Sequence, residues 1–155
     1  MTERLARAPT GVVQQSDADG ITTERFSRVR SAHSSEILED YTELIADLLE
    51  RYGEARTTDI ARHLGVTLPT SNKALARLKR EGLIVSRPYR GVFLTEAGQV
   101  MADRVKVRHR LVVDLLVAVG VPPEAAEMDA EGIEHHVSET TLEAFRDFVR
   151  RHEDR

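Results

Sequence analysis

The chain has 155 residues, of which 41% are hydrophobic, so it is long enough to bury a core in one or two small domains. It contains no cysteine, which excludes disulfide bonds, thiolate metal sites and cysteine nucleophiles and leaves nitrogen and oxygen as the ligands for any metal. No apolar run approaches the roughly 18 residues needed to span a bilayer, and the first residues lack a signal-peptide core, so we expect a cytoplasmic protein without membrane contact.

The net charge of −4 is distributed unevenly along the chain. Residues 51–110 hold 13 Lys and Arg against 5 Asp and Glu, whereas residues 1–50 hold 5 against 10 and residues 111–155 hold 4 against 11. A basic block between two acidic ones can attract phosphates even when the whole chain is acidic. Charge alone leaves nucleic-acid binding open.

The first elements are an arm and a long helix. Residues 1–23 are rich in small and polar residues without apolar periodicity, which predicts a flexible arm. From residue 24 to 52 apolar residues recur at helical spacing, most clearly from Ile37 onward, and Gly53 ends the pattern. We predict one amphipathic helix over this second stretch.

Two shorter helices and a hairpin follow. Thr57 or Thr58 can cap a helix that ends near Leu64, and Thr67 can cap another that runs to about Arg80. Two apolar runs then read as short strands of a β-hairpin with a basic tip, at residues 83–85 and 92–94. This order of elements is the plan of a winged helix-turn-helix domain, whose second helix enters the major groove of DNA.

The predicted DNA contacts are the outward-facing polar and basic residues of the second helix and of the hairpin. They are Pro69, Thr70, Asn72, Lys73, Arg77, Arg87, Tyr89 and Arg90. Asn can read adenine, while Lys and Arg reach guanine or phosphate. Ser71 departs from the motif, because an aliphatic residue usually fills its position. The alternative is that these side chains only solvate an ordinary helix and turn.

The last third of the chain reads as three helices. We predict a long helix that ends at Gly120, a helix from Pro123 to about Val137, and a final helix from about Ser138 to Arg151.

Acidic and histidine residues in three of these helices suggest a metal site. Glu131, Glu134 and His135 stand at i, i+3 and i+4, which places them on one face of a helix. Their crowded charges favour a divalent cation as a counter-charge. Asp40 and Glu43 on the first long helix and His109 on the later one are further candidates, although a solvated helix edge and a surface histidine are the alternatives.

Five motifs in fixed order extend this pattern: EDYTE at 39–43, GEAR at 53–56, YRGVFLT at 89–95, RH at 108–109 and DAEGIEHHVS at 129–138. With them, residues 36–152 resemble the manganese transport regulators of the diphtheria-toxin-repressor superfamily. The resemblance implies a mainly α fold with a flexible arm at 1–23, a winged helix-turn-helix DNA-binding domain at 24–95 and a helical dimerisation and metal-binding domain at 96–155.

The resemblance also implies a function. A homodimer loaded with Mn²⁺ would bind palindromic, double-stranded operator DNA and repress manganese uptake genes. Its binuclear site would use Asp40, Glu43, His109, Glu131, Glu134 and His135, with Glu131 and Glu134 bridging the metals. Iron-responsive relatives carry methionine at the position of Asp40, so the hard oxygen ligand favours Mn²⁺, although Fe²⁺, Zn²⁺, Co²⁺ or Cd²⁺ can bind in vitro.

The chain departs from the family at both ends. It lacks the SH3-like domain of the larger iron-responsive members, and it carries an N-terminal extension of about 35 residues that many short members lack. Neither departure touches the six candidate ligands, which would join the DNA-binding module to the helical one across a hinge that we expect at residues 95–100. The resemblance assigns no role to His136.

Two other functions remain as alternatives. Bridged two-metal sites also catalyse hydrolysis, but such an enzyme would need a substrate pocket for which this short chain leaves little length. A winged-helix repressor could instead respond to a small organic ligand, in which case its operator binding would ignore Mn²⁺.

Overall fold

The computed structural model describes the backbone of residues 13–153 and the side chains of residues 20–152. The elements are α1 (Val13–Tyr52), α2 (Thr57–Leu64), α3 (Leu68–Arg80), β1 (Ile84–Arg87), β2 (Gly91–Leu94), α4 (Glu96–Ala118), α5 (Pro123–Ile133), a 3₁₀ turn η1 (Glu134–His136) and α6 (Glu139–Glu153). The mainly α fold with a small wing is confirmed. Within the described residues, no helix is long and apolar enough to cross a membrane.

Helix α1 begins earlier than the sequence pattern predicts. The predicted arm overlaps it, because residues 13–23 are helical, while residues 1–12 lie outside the described part of the chain. Apolar periodicity reports which face of a helix is buried, and this first part of α1 is exposed wherever its side chains are described. A helix without a buried face leaves no such periodicity in the sequence.

The N-terminal module packs α1, α2, α3 and the hairpin around one core. Its buried centre contains Ile45, Ile60 and Leu78, none of which is exposed to solvent. Thr67 caps α3 as predicted, because its side chain accepts a hydrogen bond from the Thr70 amide at 3.3 Å. Neither Thr57 nor Thr58 caps α2, since Arg56 holds that position without a side-chain bond.

Ser71 lies on the buried side of α3, in the position that usually holds an aliphatic residue. It is fully buried, and its hydroxyl has no hydrogen-bond partner. The departure seen in the sequence is therefore a polar atom inside the helix-turn-helix core, where an unmade hydrogen bond destabilises the fold.

The hairpin is antiparallel, with Ile84 opposite Leu94 and Arg87 opposite Gly91. The Val92 amide donates to the Ala55 carbonyl at 2.9 Å, which ties the wing to the chain just after α1. A Cβ atom at Gly91 would overlap that same carbonyl, so only glycine permits this approach.

The junction between the modules is held firmly, in contrast to the expected hinge. Thr95 caps α4, its amide donates to the Leu83 carbonyl at 3.0 Å, and its hydroxyl donates to the Gly82 carbonyl at 2.6 Å. Gly98 packs so closely on Leu83 that a Cβ atom would overlap the carbonyl oxygen. Contact between the modules also runs through α1, which packs against α4 and η1.

The C-terminal module has its own core between α4, α5 and α6, with Val112, Ala126 and Leu142 at its centre. Helix α5 ends at Ile133, four residues earlier than predicted. Ser138 caps α6 and Val137 is extended, so the chain must leave the helix before it reaches these residues. It does so through the tighter 3₁₀ turn η1, which carries Glu134 and His135 into the interior.

Candidate metal site and DNA-binding surface

Glu134 lies at the centre of the candidate metal site. It is fully buried, and its two oxygens lie 3.0 Å from Nδ1 of His109 and 3.3 Å from Nε2 of His135. Neither oxygen makes a hydrogen bond of acceptable geometry. Burial raises the pKa of Glu134 to about 7, although the two neighbouring imidazoles act to lower it. The two imidazoles thus do not fully offset the effect of burying this charged carboxylate.

His109 projects from α4 and contacts carboxylates on both sides of its ring. Its Nδ1 lies 3.0 Å from Glu134 and 3.7 Å from Glu131, and its Nε2 lies 3.0 Å from Glu127. Burial acts to lower the pKa of His109, but the hydrogen bond with Glu127 and the charges of Glu134 and Glu131 outweigh it and raise that pKa. One ligand atom each from His109, Glu131 and Glu134 fits within 4.8 Å, which is compact enough for one cation.

His135 lies on η1 between acids from two elements. Its Nδ1 is 2.7 Å from Glu39 of α1, and Glu39 is also paired with Arg108 of α4. Its Nε2 is 3.2 Å from Asp40. Burial acts to lower the pKa of His135, but its hydrogen bonds with Asp40 and Glu39 outweigh it and raise that pKa to about 10. The metal-free ring therefore holds its proton at neutral pH.

Helix α1 supplies the opposite side of the site. Asp40 and Glu43 line an open cleft of about 490 Å³, together with Glu131 and His135. Burial and the charges of Glu131 and Asp47 raise the pKa of Glu43. Carboxylates from α1 and α5 thus face one another across the cleft and repel.

Four of the six residues predicted from the resemblance line this cleft, namely Asp40, Glu43, Glu131 and His135. The other two lie behind them, with His109 3.7 Å from Glu131 and Glu134 3.3 Å from His135. The spacing predicts that one helix carries Glu131, Glu134 and His135. In the structure only Glu131 lies on α5, whereas Glu134 and His135 belong to η1. Three contacting residues were not predicted, namely Glu39, Arg108 and Glu127. Glu39 and Arg108 lie inside motifs of the resemblance, whereas Glu127 carries no sequence signal.

The donor set fits a hard divalent cation. Four carboxylates and two imidazoles offer oxygen and nitrogen ligands, which suit Mn²⁺ better than soft metals. The buried oxygens of Glu134 lack hydrogen-bond partners, and a cation would satisfy them.

The predicted DNA contacts lie on the surface of α3 and of the hairpin. Asn72 and Lys73 are exposed, and Arg77 is half-buried because its guanidinium donates to the Ser34 hydroxyl of α1 at 3.0 Å. Pro69 and Thr70 form the exposed first turn of α3. These residues place polar and basic groups along the helix that the motif assigns to the major groove.

The hairpin tip presents the other three predicted residues, all of them exposed. Arg87 lies over the ring of Phe93, with its guanidinium carbon 4.8 Å from the ring centre. Tyr89 is fully exposed and has a φ of 62°, which is unusual for a bulky side chain. Arg90 follows it. A strained, exposed aromatic residue between two arginines is suited to contact a partner rather than the core.

Two family models match the chain along most of its length. Residues 33–92 match the iron dependent repressor, N-terminal DNA binding domain. Residues 95–154 match the iron dependent repressor, metal binding and dimerisation domain. Two of the candidate ligands, Asp40 and Glu43, fall in the first match. The other four, His109, Glu131, Glu134 and His135, fall in the second.

Curated relatives cover most of the chain. The transcriptional regulator MntR of Escherichia coli O157:H7 is 52% identical over 129 residues, which is 83% of this chain and 83% of that protein. The HTH-type transcriptional regulator MntR of Bacillus subtilis strain 168 is 36% identical over 117 residues, or 76% of this chain and 82% of that protein.

Solved structures share the fold. The manganese regulator SloR superposes with a TM-score of 0.64 at 29% identity, over 73% of this chain and 53% of that one. IdeR of T. acidophilum gives a TM-score of 0.61 at 27% identity, over 70% of this chain and 52% of that one. The chain spans about half the length of these two proteins.

Proposed function

Because this chain belongs to the iron-dependent repressor family, whose members are transcriptional repressors and not enzymes, we propose that it is a manganese-responsive repressor. As a metal-loaded homodimer in the cytoplasm it binds palindromic operator DNA and represses manganese uptake genes. The names of its relatives support manganese as the signal.

One observation supports the proposed site most strongly: a fully buried glutamate without hydrogen bonds lies between two histidines. Burying a carboxylate destabilises a fold unless it is paired, and the two imidazoles here leave the pKa of Glu134 still raised to about 7. A cation bound among these residues would pair with the buried carboxylate and offset this destabilisation. A chain under selection for stability alone would place an apolar residue there.

In this proposal Asp40, Glu43, His109, Glu131, Glu134 and His135 hold the metal. When bound, Mn²⁺ supplies positive charge that neutralises the carboxylates facing one another across the cleft. To bind a cation through Nε2, His135 would give up the proton on that nitrogen, which faces Asp40, and would keep the one on Nδ1, which faces Glu39. The repulsion between Glu43 and Glu131 would then be offset by the charge of the cation.

The ligands connect two modules, which gives the metal a means to act on DNA binding. Asp40 and Glu43 lie on α1, whose neighbouring Ser34 bonds to Arg77 of α3. The other four ligands lie on α4, α5 and η1. Fixing α1 against the C-terminal module therefore also fixes the position of α3, and a homodimer with one spacing of its two α3 helices selects one palindrome.

The eight surface residues of α3 and the hairpin contact the operator in this proposal. Asn72, Lys73 and Arg77 enter the major groove, with Pro69 and Thr70 at the leading turn. Arg87, Tyr89 and Arg90 contact the backbone or the minor groove from the hairpin.

The test is fluorescence anisotropy of a labelled palindromic operator from a manganese-importer promoter, at fixed salt. Protein is titrated in chelator, Mn²⁺, Mg²⁺ and Zn²⁺ in parallel. We expect Mn²⁺ to tighten binding about 5- to 150-fold, and Glu131→Ala to abolish this effect. Equal affinity in chelator and Mn²⁺ would refute the manganese response and favour an organic effector.

A further inference from the structure

Each of the two candidate histidine ligands is held from behind by a carboxylate that is not itself one of the six candidates. For His135 this is Glu39, at 2.7 Å from Nδ1. For His109 it is Glu127, at 3.0 Å from Nε2. The two contacts involve opposite nitrogens of the imidazole ring.

An ionised carboxylate only accepts hydrogen bonds, so the ring nitrogen that faces it carries a proton. A neutral imidazole has one proton, and its other nitrogen then presents a lone pair. The opposite nitrogens also face carboxylates, but these belong to the six candidate ligands and would bind the cation instead of accepting a proton. With a cation bound, Glu39 would thus direct the lone pair of His135 to Nε2, and Glu127 would direct that of His109 to Nδ1. These two nitrogens are the ones that face Glu134, at 3.3 Å and 3.0 Å.

The surroundings of Glu39 strengthen this assignment on the side of His135. Glu39 is mostly buried and is also paired with Arg108, which holds its charge in place. Asp40, the next residue on α1, lies 3.2 Å from the opposite nitrogen of the same ring. Two adjacent residues of α1 therefore hold both edges of the His135 ring.

On the side of His109 the contact spans two helices of the C-terminal module. Glu127 lies on α5 and His109 on α4, and the Glu127 carboxylate also lies near Arg110. Since Glu127 is more exposed than Glu39, we expect the weaker constraint here.

We propose that Glu39 and Glu127 are positioning residues that make His135 bind metal through Nε2 and His109 bind metal through Nδ1. The inference rests on the proposed function, because it concerns the same metal site. Residues that orient a ligand histidine in this way typically contribute 10- to 100-fold to metal affinity.

The first test is Mn²⁺ affinity measured by calorimetry on the full chain. Glu127→Ala should weaken binding about 10- to 100-fold, and Glu127→Gln should weaken it less, because its amide oxygen still accepts from Nε2. Glu124→Ala is the matched control, since it removes the same charge from α5, and it should bind like the wild type. Equal affinities for Glu127→Ala and Glu124→Ala would overturn the role of Glu127.

Glu39 is tested in the same way, with Glu39→Gln because its amide oxygen can still accept a hydrogen bond from Arg108. Glu36→Ala is its control, because Glu36 lines the same cleft one turn earlier without contacting either ligand histidine. We expect Glu39→Gln to weaken Mn²⁺ binding and Glu36→Ala to leave it within about twofold of the wild type. The reverse order would overturn the role of Glu39.

The second test identifies the bound nitrogens directly and needs no variant. In wild-type protein with ¹⁵N-labelled histidine and ¹¹³Cd²⁺, scalar coupling should reach Nε2 of His135 and Nδ1 of His109. Coupling to the opposite nitrogen of either ring would overturn the proposal for that ring. A wild type that bound neither Mn²⁺ nor Cd²⁺ would refute the proposed function itself, which separates the two failures.

Discussion

The two sides of the candidate metal cleft differ in how many contacts their side chains already make. The C-terminal wall, made of His109, Glu131, Glu134 and His135, forms a chain of contacts from 3.0 to 3.7 Å. The α1 wall, made of Asp40 and Glu43, has one ion-pair contact with it among the described residues, between Asp40 and His135.

Charge separates the walls as clearly as contact does. The C-terminal wall offsets its two carboxylates with two imidazoles. The α1 wall contains no imidazole of its own. Nearby, the charge of Asp47 is paired with Lys106 at 2.6 Å. The C-terminal wall is therefore suited to capture a cation, whereas the α1 wall gains most from the neutralisation that the cation brings.

This difference suggests a division of labour between binding and signalling. The C-terminal wall lies in the dimerisation domain, and the α1 wall lies in the DNA-binding domain. Metal affinity should depend mainly on the first wall, and the effect of metal on DNA should depend mainly on the second. Variants of the two walls can therefore separate the two properties.

The largest expected effect is on the C-terminal wall. Glu134→Gln should weaken Mn²⁺ binding more than about 100-fold, since it removes the buried ligand at the centre of the cluster. The same variant should make the metal-free protein more stable at pH 8. The folded-state pKa of Glu134 is raised to about 7 from 4.5, so its contribution to stability is full below about pH 4.5 and is lost as pH rises through 7.

Thermal unfolding with and without Mn²⁺ checks both parts of this prediction. Glu131→Gln is the control, because Glu131 is exposed, so its loss should weaken metal binding but stabilise the metal-free protein less than Glu134→Gln does. A Glu134→Gln protein that is less stable than the wild type at pH 8 would contradict the view that the buried charge strains the C-terminal wall.

The next effect concerns the α1 wall. Asp40→Ala should still bind Mn²⁺ through the C-terminal wall, but the factor of about 5 to 150 by which Mn²⁺ tightens operator binding should fall towards one. Anisotropy titrations in Mn²⁺ and in chelator measure this factor, and calorimetry measures metal binding in parallel. If Asp40→Ala lost metal binding and coupling together, the two walls would act as one unit.

A smaller effect follows from proton competition at His135. The pKa of His135 is raised to about 10 and that of Glu134 to about 7, so between about pH 8 and 9 Glu134 is ionised while the metal must still displace one proton from His135, and Mn²⁺ affinity should rise about tenfold per pH unit. Calorimetry in buffers of different ionisation enthalpy reports the released proton. His135→Gln should flatten the slope, and a wild-type affinity independent of pH would contradict the proton assignment.

The sequence predicts the architecture well where a local signal exists. The cap at Thr67, the hairpin around residues 87–91 and the order of the α-helices and strands follow from residue types that set local backbone geometry. The start of α1 and the end of α5 could not be placed, because the first leaves no apolar periodicity and the second depends on where Ser138 caps the next helix.

The candidate site was predictable only in part. The resemblance supplies six residues, of which four line one cleft and two lie directly behind them. The local reason given for Glu134 and His135 was wrong, because a 3₁₀ turn carries them. Glu39 and Glu127 could not be assigned, since their partners depend on how α1, α4 and α5 pack. Contacts between distant helices leave no periodic trace in one sequence.

The smallest expected effect comes from a residue that touches neither wall. Ser71→Ala removes a buried hydroxyl without a partner from the N-terminal core, and it should raise the free energy of unfolding by about 1 kcal/mol. Urea unfolding of the metal-free protein measures this, while Mn²⁺ affinity should stay unchanged because the C-terminal wall is untouched. Thr42→Ala is a control with the opposite expected sign. Its buried hydroxyl donates to the Glu39 carbonyl at 2.9 Å, so its loss should lower the free energy of unfolding. If Ser71→Ala changed Mn²⁺ affinity as well, the C-terminal wall would depend on the DNA-binding core, and binding and signalling would not be separable.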